Sequence, residues 1–354
     1  MKKIIAGLIV LALMVFAGCA TLKKKKAGQA PVEHESSTVR FTGYKTMVKV
    51  RASPAEVEQY VLELDPFTVD SANYNLKMHS PKKMEKPGDS AEIKAEVLKI
   101  PLSGKFILAH QKPGEELWFI AQLPQSIMGV VRLNLKETEA GTIMSVKIEL
   151  QDLNPLFSQF FEAVNVQELM AKMIERGVAR GQAHFDPSVT AGQLLEKGIR
   201  GEFYDTFYQG HKVSVWINAS QKRVDDYLTD PKNWETYKQK YGLELTHCLL
   251  SHNPGPCPTR VRLFGIEYPI DSFPAGSRPG DLMSAYWVQK LIFCRIEIHT
   301  AAEQGGTRMS LKYLTDMPAG ISEEGGNIIM SFLQVPQYVE QILSNVKKEV
   351  EGAG

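Results

Sequence analysis

Two spacings of apolar residues run through this chain, and each occurs twice. Met144, Val146, Ile148 and Leu150 alternate with Ser145, Lys147 and Glu149, and Met309, Leu311 and Tyr313 alternate with Ser310 and Lys312. A period of two with one apolar face predicts half-buried antiparallel strands. Shorter runs predict further strands around Met47–Val50, Val97–Leu108, Glu116–Leu123, Val130–Leu135, Arg260–Ile270 and Leu291–Ile298, with Gly, Pro and charged turns between them. The second spacing steps by three and four. Ile328, Phe332, Val335, Val339, Ile342 and Val346 make one stripe; Val166, Leu169, Met170, Met173 and Gly177 make another, preceded by the aromatic cluster Phe157, Phe160 and Phe161. Each stripe predicts a long amphipathic helix. Pro336 is expected to kink or interrupt the later one. A shorter helix is announced by Ser53-Pro54-Ala55-Glu56, in which Ser caps, Pro fits the first helical position and Glu completes a capping box. Ser220 plays the same part further on, but Arg223 stands where the box would place Glu.

These doubled patterns belong to an internal repeat. Residues 43–53 align with residues 210–220 at a constant separation of 167, through Gly43/Gly210, Lys45/Lys212, Val48/Val215, Val50/Ile217, Ala52/Ala219 and Ser53/Ser220. A second block, Gly141–Lys147 with Gly306–Lys312, is offset by 165, and a third, Val166–Ile174 with Val335–Leu343, by 169. Three blocks in one order at nearly equal offsets mean a duplicated unit of roughly 150 residues, a common domain size. The expected layout is a leader over 1–18, a tether over 19–38, one domain over 39–187, a linker over 188–205 and a second domain over 206–350.

The start of the chain follows neither spacing. Met1-Lys2-Lys3 precedes an almost unbroken apolar run, Ile4–Phe16, and then Ala17-Gly18-Cys19. A short positive region, an apolar stretch too short to span a membrane comfortably and two small residues form the layout of a secretory signal. Phe16-Ala17-Gly18-Cys19 resembles the lipobox of bacterial lipoproteins, departing from it at Phe16, where that family favours Leu. The resemblance implies a diacylglycerol on the Cys19 thiol, cleavage before it and acylation (palmitate) of the new amino end. Ala20, rather than Asp, implies the outer membrane, facing the periplasm. Several acyl chains at about 0.8 kcal/mol per buried methylene would hold the chain to the membrane permanently. Residues 20–37, with four lysines at 23–26, read as a solvated tether in which the lysines are also placed to touch anionic headgroups.

Strand, short helix after an Ala-Ser start, a run of antiparallel strands and a long final helix is the helix-grip order. Val48-Lys49-Val50-Arg51-Ala52-Ser53-Pro54-Ala55-Glu56-Val57 and Val213-Ser214-Val215-Trp216-Ile217-Asn218-Ala219-Ser220 carry it, and in that order the chain resembles the START-related (SRPBCC, polyketide cyclase-like) superfamily over residues 39–187 and 206–350. The resemblance implies an α+β fold of tandem helix-grip domains, each a curved antiparallel sheet wrapped around its C-terminal helix. It also implies a cavity between sheet and helix for a lipid or other hydrophobic small molecule. The cavity candidates are Phe157, Phe160, Phe161, Val166, Met170 and Met173 in the first copy and Ile328, Phe332, Val339 and Ile342 in the second; Met170 and Met173 serve equally well as plain core.

Chemistry narrows the function further. The 41 basic and 40 acidic residues leave a net charge of +1, with no electrostatic footprint for nucleic acid. Gly-rich phosphate loops, metalloprotease helix motifs, nucleophile elbows and Cys-x-x-Cys pairs are absent, and no cofactor is expected. Of the four cysteines, Cys248 and Cys257 suit a disulfide in an oxidising compartment, with Cys294 as the other partner for either. A metal held by Cys248, His252 and Cys257 falls one ligand short of four. The expected function is an envelope lipoprotein that binds or transfers a lipid or similar apolar molecule. Two alternatives stand beside it. A cyclase- or hydrolase-type enzyme would need a buried ionisable group in the pocket, for which His110, His211 and Glu149 are candidates that spacing does not rank. A structural lipoprotein would have its cavities filled by side chains, with the second copy as the degenerate partner.

Overall fold

The structure is a computed structural model that describes residues 32–63, 69–70, 74–79, 83–97, 100–122, 128–151, 166–199, 201–230, 232–233, 243–244, 257–263, 266–274, 281–289, 292–316 and 335–352. The first half contributes β1 (Glu33–Val50), α1 (Pro54–Leu62), β2 (Val69–Asp70), β3 (Tyr74–His79), β4 (Ser90–Val97), β5 (Ile100–Lys112), β6 (Glu116–Gln122), β7 (Met128–Thr138), β8 (Gly141–Gln151) and α2 (Val166–Phe185). After α3 (Ala191–Lys197), the second half repeats the order: β9 (Gly201–Ile217), α4 (Gln221–Thr229), β10 (Leu243–Glu244), β11 (Cys257–Leu263), β12 (Ile266–Pro274), β13 (Asp281–Gln289), β14 (Ile292–Glu303), β15 (Gly306–Asp316) and α5 (Val335–Gly352). This is the expected α+β fold of tandem helix grips, each half a curved antiparallel sheet with its last helix laid on one face.

The caps form as the sequence implies. Ser53 Oγ accepts from the Glu56 amide, and the Glu56 carboxylate accepts from the Ser53 amide at 2.8 Å. Ser220 accepts from the Arg223 amide without the reciprocal bond. The described part of α5 runs from Val335 to Gly352, so the expected kink at Pro336 falls at the edge of the described residues.

The two half-sheets join into one sheet of 15 strands, in the order β10-β11-β12-β13-β14-β15-β9-β1-β8-β7-β6-β5-β4-β3-β2. The joint is the antiparallel pair β1–β9, from Glu33 opposite Ser214 to Thr46 opposite Gly201. Arg40 lies directly opposite Phe207, and these two are equivalents in the repeat, 167 residues apart. A pseudo-twofold axis therefore passes through that pair. Gly43 and Gly210, also equivalents, flank it, facing Tyr204 and Ser37. The joint corrects two expected boundaries. Residues 33–38, expected in the tether, are strand; the stretch expected as linker holds α3, capped by Thr190, and the start of β9. Polar strand ends look like tether locally, but here each finds its backbone partners in the other half.

Parity along the strands separates two faces. On one, α2 packs Met170, Met173, Ile174 and Val178 onto Tyr44, Leu133, Met144, Val146 and Ile148, while α5 packs Val339, Ile342, Leu343 and Val346 onto Val213, Val215, Met309 and Leu311. On the other, Phe41, Ile107, Trp118, Ile120 and Val130 of the first half meet Tyr208, Phe273, Tyr286, Phe293 and Leu314 of the second in a third buried cluster. The side of each sheet that alternation assigns to solvent is thus partly a core. Residues 32–354 form one compact unit.

Candidate functional site

The helix-facing side of each half is where the fold would hold a ligand, and the register allows the two sides to be compared row by row. In the first half Thr42, Leu150 and Gly129 form one cross-strand row, and Tyr44, Ile148 and Val131 the next. Their equivalents in the second half are Gln209, Thr315 and Cys294, then His211, Tyr313 and Ile296. At one end of the second sheet, Gln209, Thr315, Cys294 and Tyr313 stand where the first half has Thr42, Leu150, Gly129 and Ile148. Beyond them the rows return to apolar: Val213, Leu311 and Ile298 lie next.

In the first half one helix-facing gap is small. Val50, Val57, Tyr60, Met144, Ile174 and Gly181 border a void of about 10 Å³, room for a single water. The Tyr44 hydroxyl donates to Glu175 on α2.

The second half differs. His211 is 8% exposed and Tyr313 3%, and their rings stack with centroids 5.3 Å apart. Neither Nε2 of His211 nor the hydroxyl of Tyr313 has a hydrogen-bond partner among the described residues, although both atoms are buried. A buried polar atom left unpaired costs about 1–3 kcal/mol and calls for an explanation. The other imidazole nitrogen is held: Nδ1 of His211 lies 3.1 Å from Oγ of Ser36, its opposite on β1. Burial, with His34 as a smaller cause, keeps the imidazole below its ordinary value of 6.5, so it is neutral. Burial pushes the Tyr313 phenol up. The Cys294 thiol is free and buried, accepts from Thr315 Oγ1 at 3.4 Å, and is pushed by burial up to about 12. A thiol so hard to ionise is no nucleophile at neutral pH. Along α5, Glu340 reaches His34 and Glu351 reaches the Asn218 amide at 2.7 Å. The polar rows therefore lie toward the N-terminal end of the described helix.

Of the residues singled out from sequence, Met170 and Met173 are buried on the sheet-facing side of α2, and Val339 and Ile342 on that of α5. Val166 is the first residue of α2, and Cys257 opens β11. Cys19, Phe157, Phe160, Phe161, Cys248, His252, Ile328 and Phe332 lie outside the described residues. Cys294 is a free thiol, which removes the pairing with Cys248 or Cys257. Among the described residues no group of three or more His, Cys, Asp and Glu is placed to hold a metal ion, and no helix is long and apolar enough to cross a membrane.

The three candidate ionisable residues part company. His211 faces the helix. His110 and Glu149 lie on the opposite face: His110 packs against Trp118, with ring centroids 5.2 Å apart, and Glu149 accepts from Tyr208 at 2.8 Å and Tyr204 at 3.0 Å. From sequence Tyr313 is only part of an apolar strand face and Cys294 only a disulfide candidate, and Ser36 falls in the expected tether. The available signal was the repeat itself, which sets Tyr313 against Ile148 and Cys294 against Gly129.

No protein-family model matches the chain, and no curated protein matches it. Among solved structures it is similar to the di-domain ARO/CYC BexL from the BE-7585A biosynthetic pathway, at 10% identity over 91% of this chain and 99% of that one, with a TM-score of 0.31. It is similar to the di-domain ARO/CYC StfQ from the steffimycin biosynthetic pathway, at 8% identity over 87% and 97%, TM-score 0.31. A protein from Chromobacterium violaceum matches over 41% of this chain and 99% of its own length, at 12% identity and TM-score 0.31.

Proposed function

We propose that this chain is a lipid-anchored envelope protein whose second half binds a hydrophobic small molecule, with the first half as its packed structural partner. One observation carries the reading: in the second half, a phenol and an imidazole nitrogen without hydrogen-bond partners among the described residues are buried on the face that meets α5. Small-molecule sites are mostly apolar with a few convergent polar groups. Val213, Leu311, Ile296, Val339 and Ile342 supply the apolar part, His211 and Tyr313 the polar part. Among the described residues of the first half, the tyrosine at the equivalent position, Tyr44, already donates its proton to Glu175. The anchor is Cys19, by its resemblance to the lipobox, and the outer membrane facing the periplasm is its proposed location. Among the described residues of the polar rows, Cys294 is a thiol that burial keeps protonated, in keeping with a binding role.

The test is uptake by the full-length protein, purified in detergent and delipidated. Fluorescent fatty acids and phospholipids are titrated in, and native mass spectrometry reads the stoichiometry. One ligand per chain, displaced by Ile342→Trp in α5 but not by Ile174→Trp in α2, is the expected result. Repeated absence of any bound apolar molecule overturns the reading.

A further inference from the structure

We propose that His211 and Tyr313 form a two-donor hook that reads a carbonyl oxygen on the bound molecule, so that the ligand of the second half is an acyl compound, a fatty acid or its ester, rather than a plain hydrocarbon or an amine. The inference rests on the second half being the binding half, and adds the chemistry of the group it recognises.

The donor character follows from the atoms present. Tyr313 keeps its proton because burial disfavours the phenolate, so its hydroxyl is able to donate. His211 is neutral, so one ring nitrogen donates and the other accepts. Ser36 Oγ lies 3.1 Å from Nδ1. A serine hydroxyl donating there leaves the proton on Nε2, the tautomer a free imidazole also favours. With that tautomer Nε2–H and the Tyr313 hydroxyl, neither with a partner among the described residues, are both hydrogen-bond donors on neighbouring, stacked rings.

What answers two neutral donors inside an apolar wall is an acceptor with two lone pairs. A carbonyl oxygen meets that demand. An alkylammonium group brings only donors and would leave all three groups unsatisfied. The surroundings agree. The next side chains along the rows, Ile296, Val213 and Leu311, are apolar and suit an acyl chain. The equivalent row of the first half, Tyr44, Ile148 and Val131, leaves no unpaired donor, since Tyr44 gives its proton to Glu175.

The test compares ligands of one chain length on the delipidated full-length protein: hexadecanoic acid, its methyl ester and hexadecylamine, each against wild type and Tyr313→Phe. The wild type is expected to bind the acid or the ester at least tenfold more tightly than the amine. Tyr313→Phe is expected to weaken the carbonyl ligands about tenfold, one neutral hydrogen bond, and to leave the amine unchanged. The free acid and the ester are told apart by which binds more tightly. Should the three ligands bind alike, or Tyr313→Phe leave carbonyl binding intact, the hook is wrong while apolar binding stands. Should none bind, the failure lies with the second half as a binding site. Tyr313→Phe removes one oxygen and keeps the ring, and far-ultraviolet circular dichroism matching wild type confirms that a loss of binding is not a loss of fold.

Discussion

Arg132 and Asp316 are 184 residues apart in the chain, and Nη2 of the one donates to Oδ2 of the other at 2.7 Å. They belong to different halves and meet on the face of the sheet that carries neither long helix. Around them Nη1 of Arg132 lies 3.4 Å from Glu149, Tyr204 and Tyr208 donate to Glu149, and the Phe293 amide donates to Asp316. The guanidinium also lies over the Trp118 ring at 5.1 Å. One cation thus serves two buried carboxylates, one from each half, within an otherwise apolar interface.

Removing that cation leaves both carboxylates buried without it. Arg132→Met is expected to destabilise the protein by about 3–5 kcal/mol, the range for breaking a buried pair from one side. Urea unfolding of the wild type and the variant measures it. A change under 0.5 kcal/mol would show that the interface does not depend on the pair.

His211 makes stability depend on pH in a defined direction. Its folded value lies below its ordinary 6.5, chiefly through burial. Between the two values the unfolded chain holds more protons, so stability falls as pH drops through 6.5 and levels off below the folded value. Thermal melts of the ligand-free protein from pH 8 to 5 should show this slope, and His211→Gln should flatten it. An unchanged slope in the variant assigns the dependence to another group.

Tyr313→Phe should act in opposite senses on the free and the loaded protein. Without ligand it deletes an unpaired buried hydroxyl, so stability is expected to hold or to rise by about 0.5–2 kcal/mol. Chemical denaturation of the delipidated protein reads this directly. A loss of more than 1 kcal/mol would mean that the hydroxyl already has a partner.

Gly43 is a test of the joint. A β-carbon there would meet the Tyr204 ring at 2.4 Å, and that ring is held by its bond to Glu149. Gly43→Ala should therefore destabilise by about 1–3 kcal/mol through overpacking. Gly192→Ala in α3, where the nearest atom is 3.9 Å away, should stay within about 0.5 kcal/mol. Equal effects at the two positions would deny the close packing at the joint.

Cys19→Ser should abolish metabolic labelling by palmitate and move the protein from the membrane fraction to the soluble fraction. Retained labelling would place the acyl group elsewhere.

The repeat, the strands, the caps and both long helices were legible because each is a local pattern. Ser53 and Glu56 are three residues apart, and Met144, Val146 and Ile148 share a face by spacing alone. The site was legible only in part. His211 stood among three candidates, and nothing local separated it from His110 and Glu149, since which side of a strand meets a helix depends on the strand's neighbours. Glu149 shows the limit most clearly. It occupies a polar position in an alternating strand, the position that faces water in a sheet covered on one side, and it is 6% exposed because the other half covers it.

What the chain determines by itself is therefore the composition of each half: its order of strands and helices, their caps and the apolar face of each, all set by backbone periods of two and 3.6 residues acting over a few positions. What only the tertiary structure decided is how the halves share space. The antiparallel pairing of β1 with β9 places Ser36 on His211 and Tyr204 on Gly43, and the meeting of the two outer faces buries Arg132 with Asp316. Those contacts join residues more than 150 positions apart, where no local pattern reaches. They depend on the shape and charge of surfaces that exist only once both halves have folded.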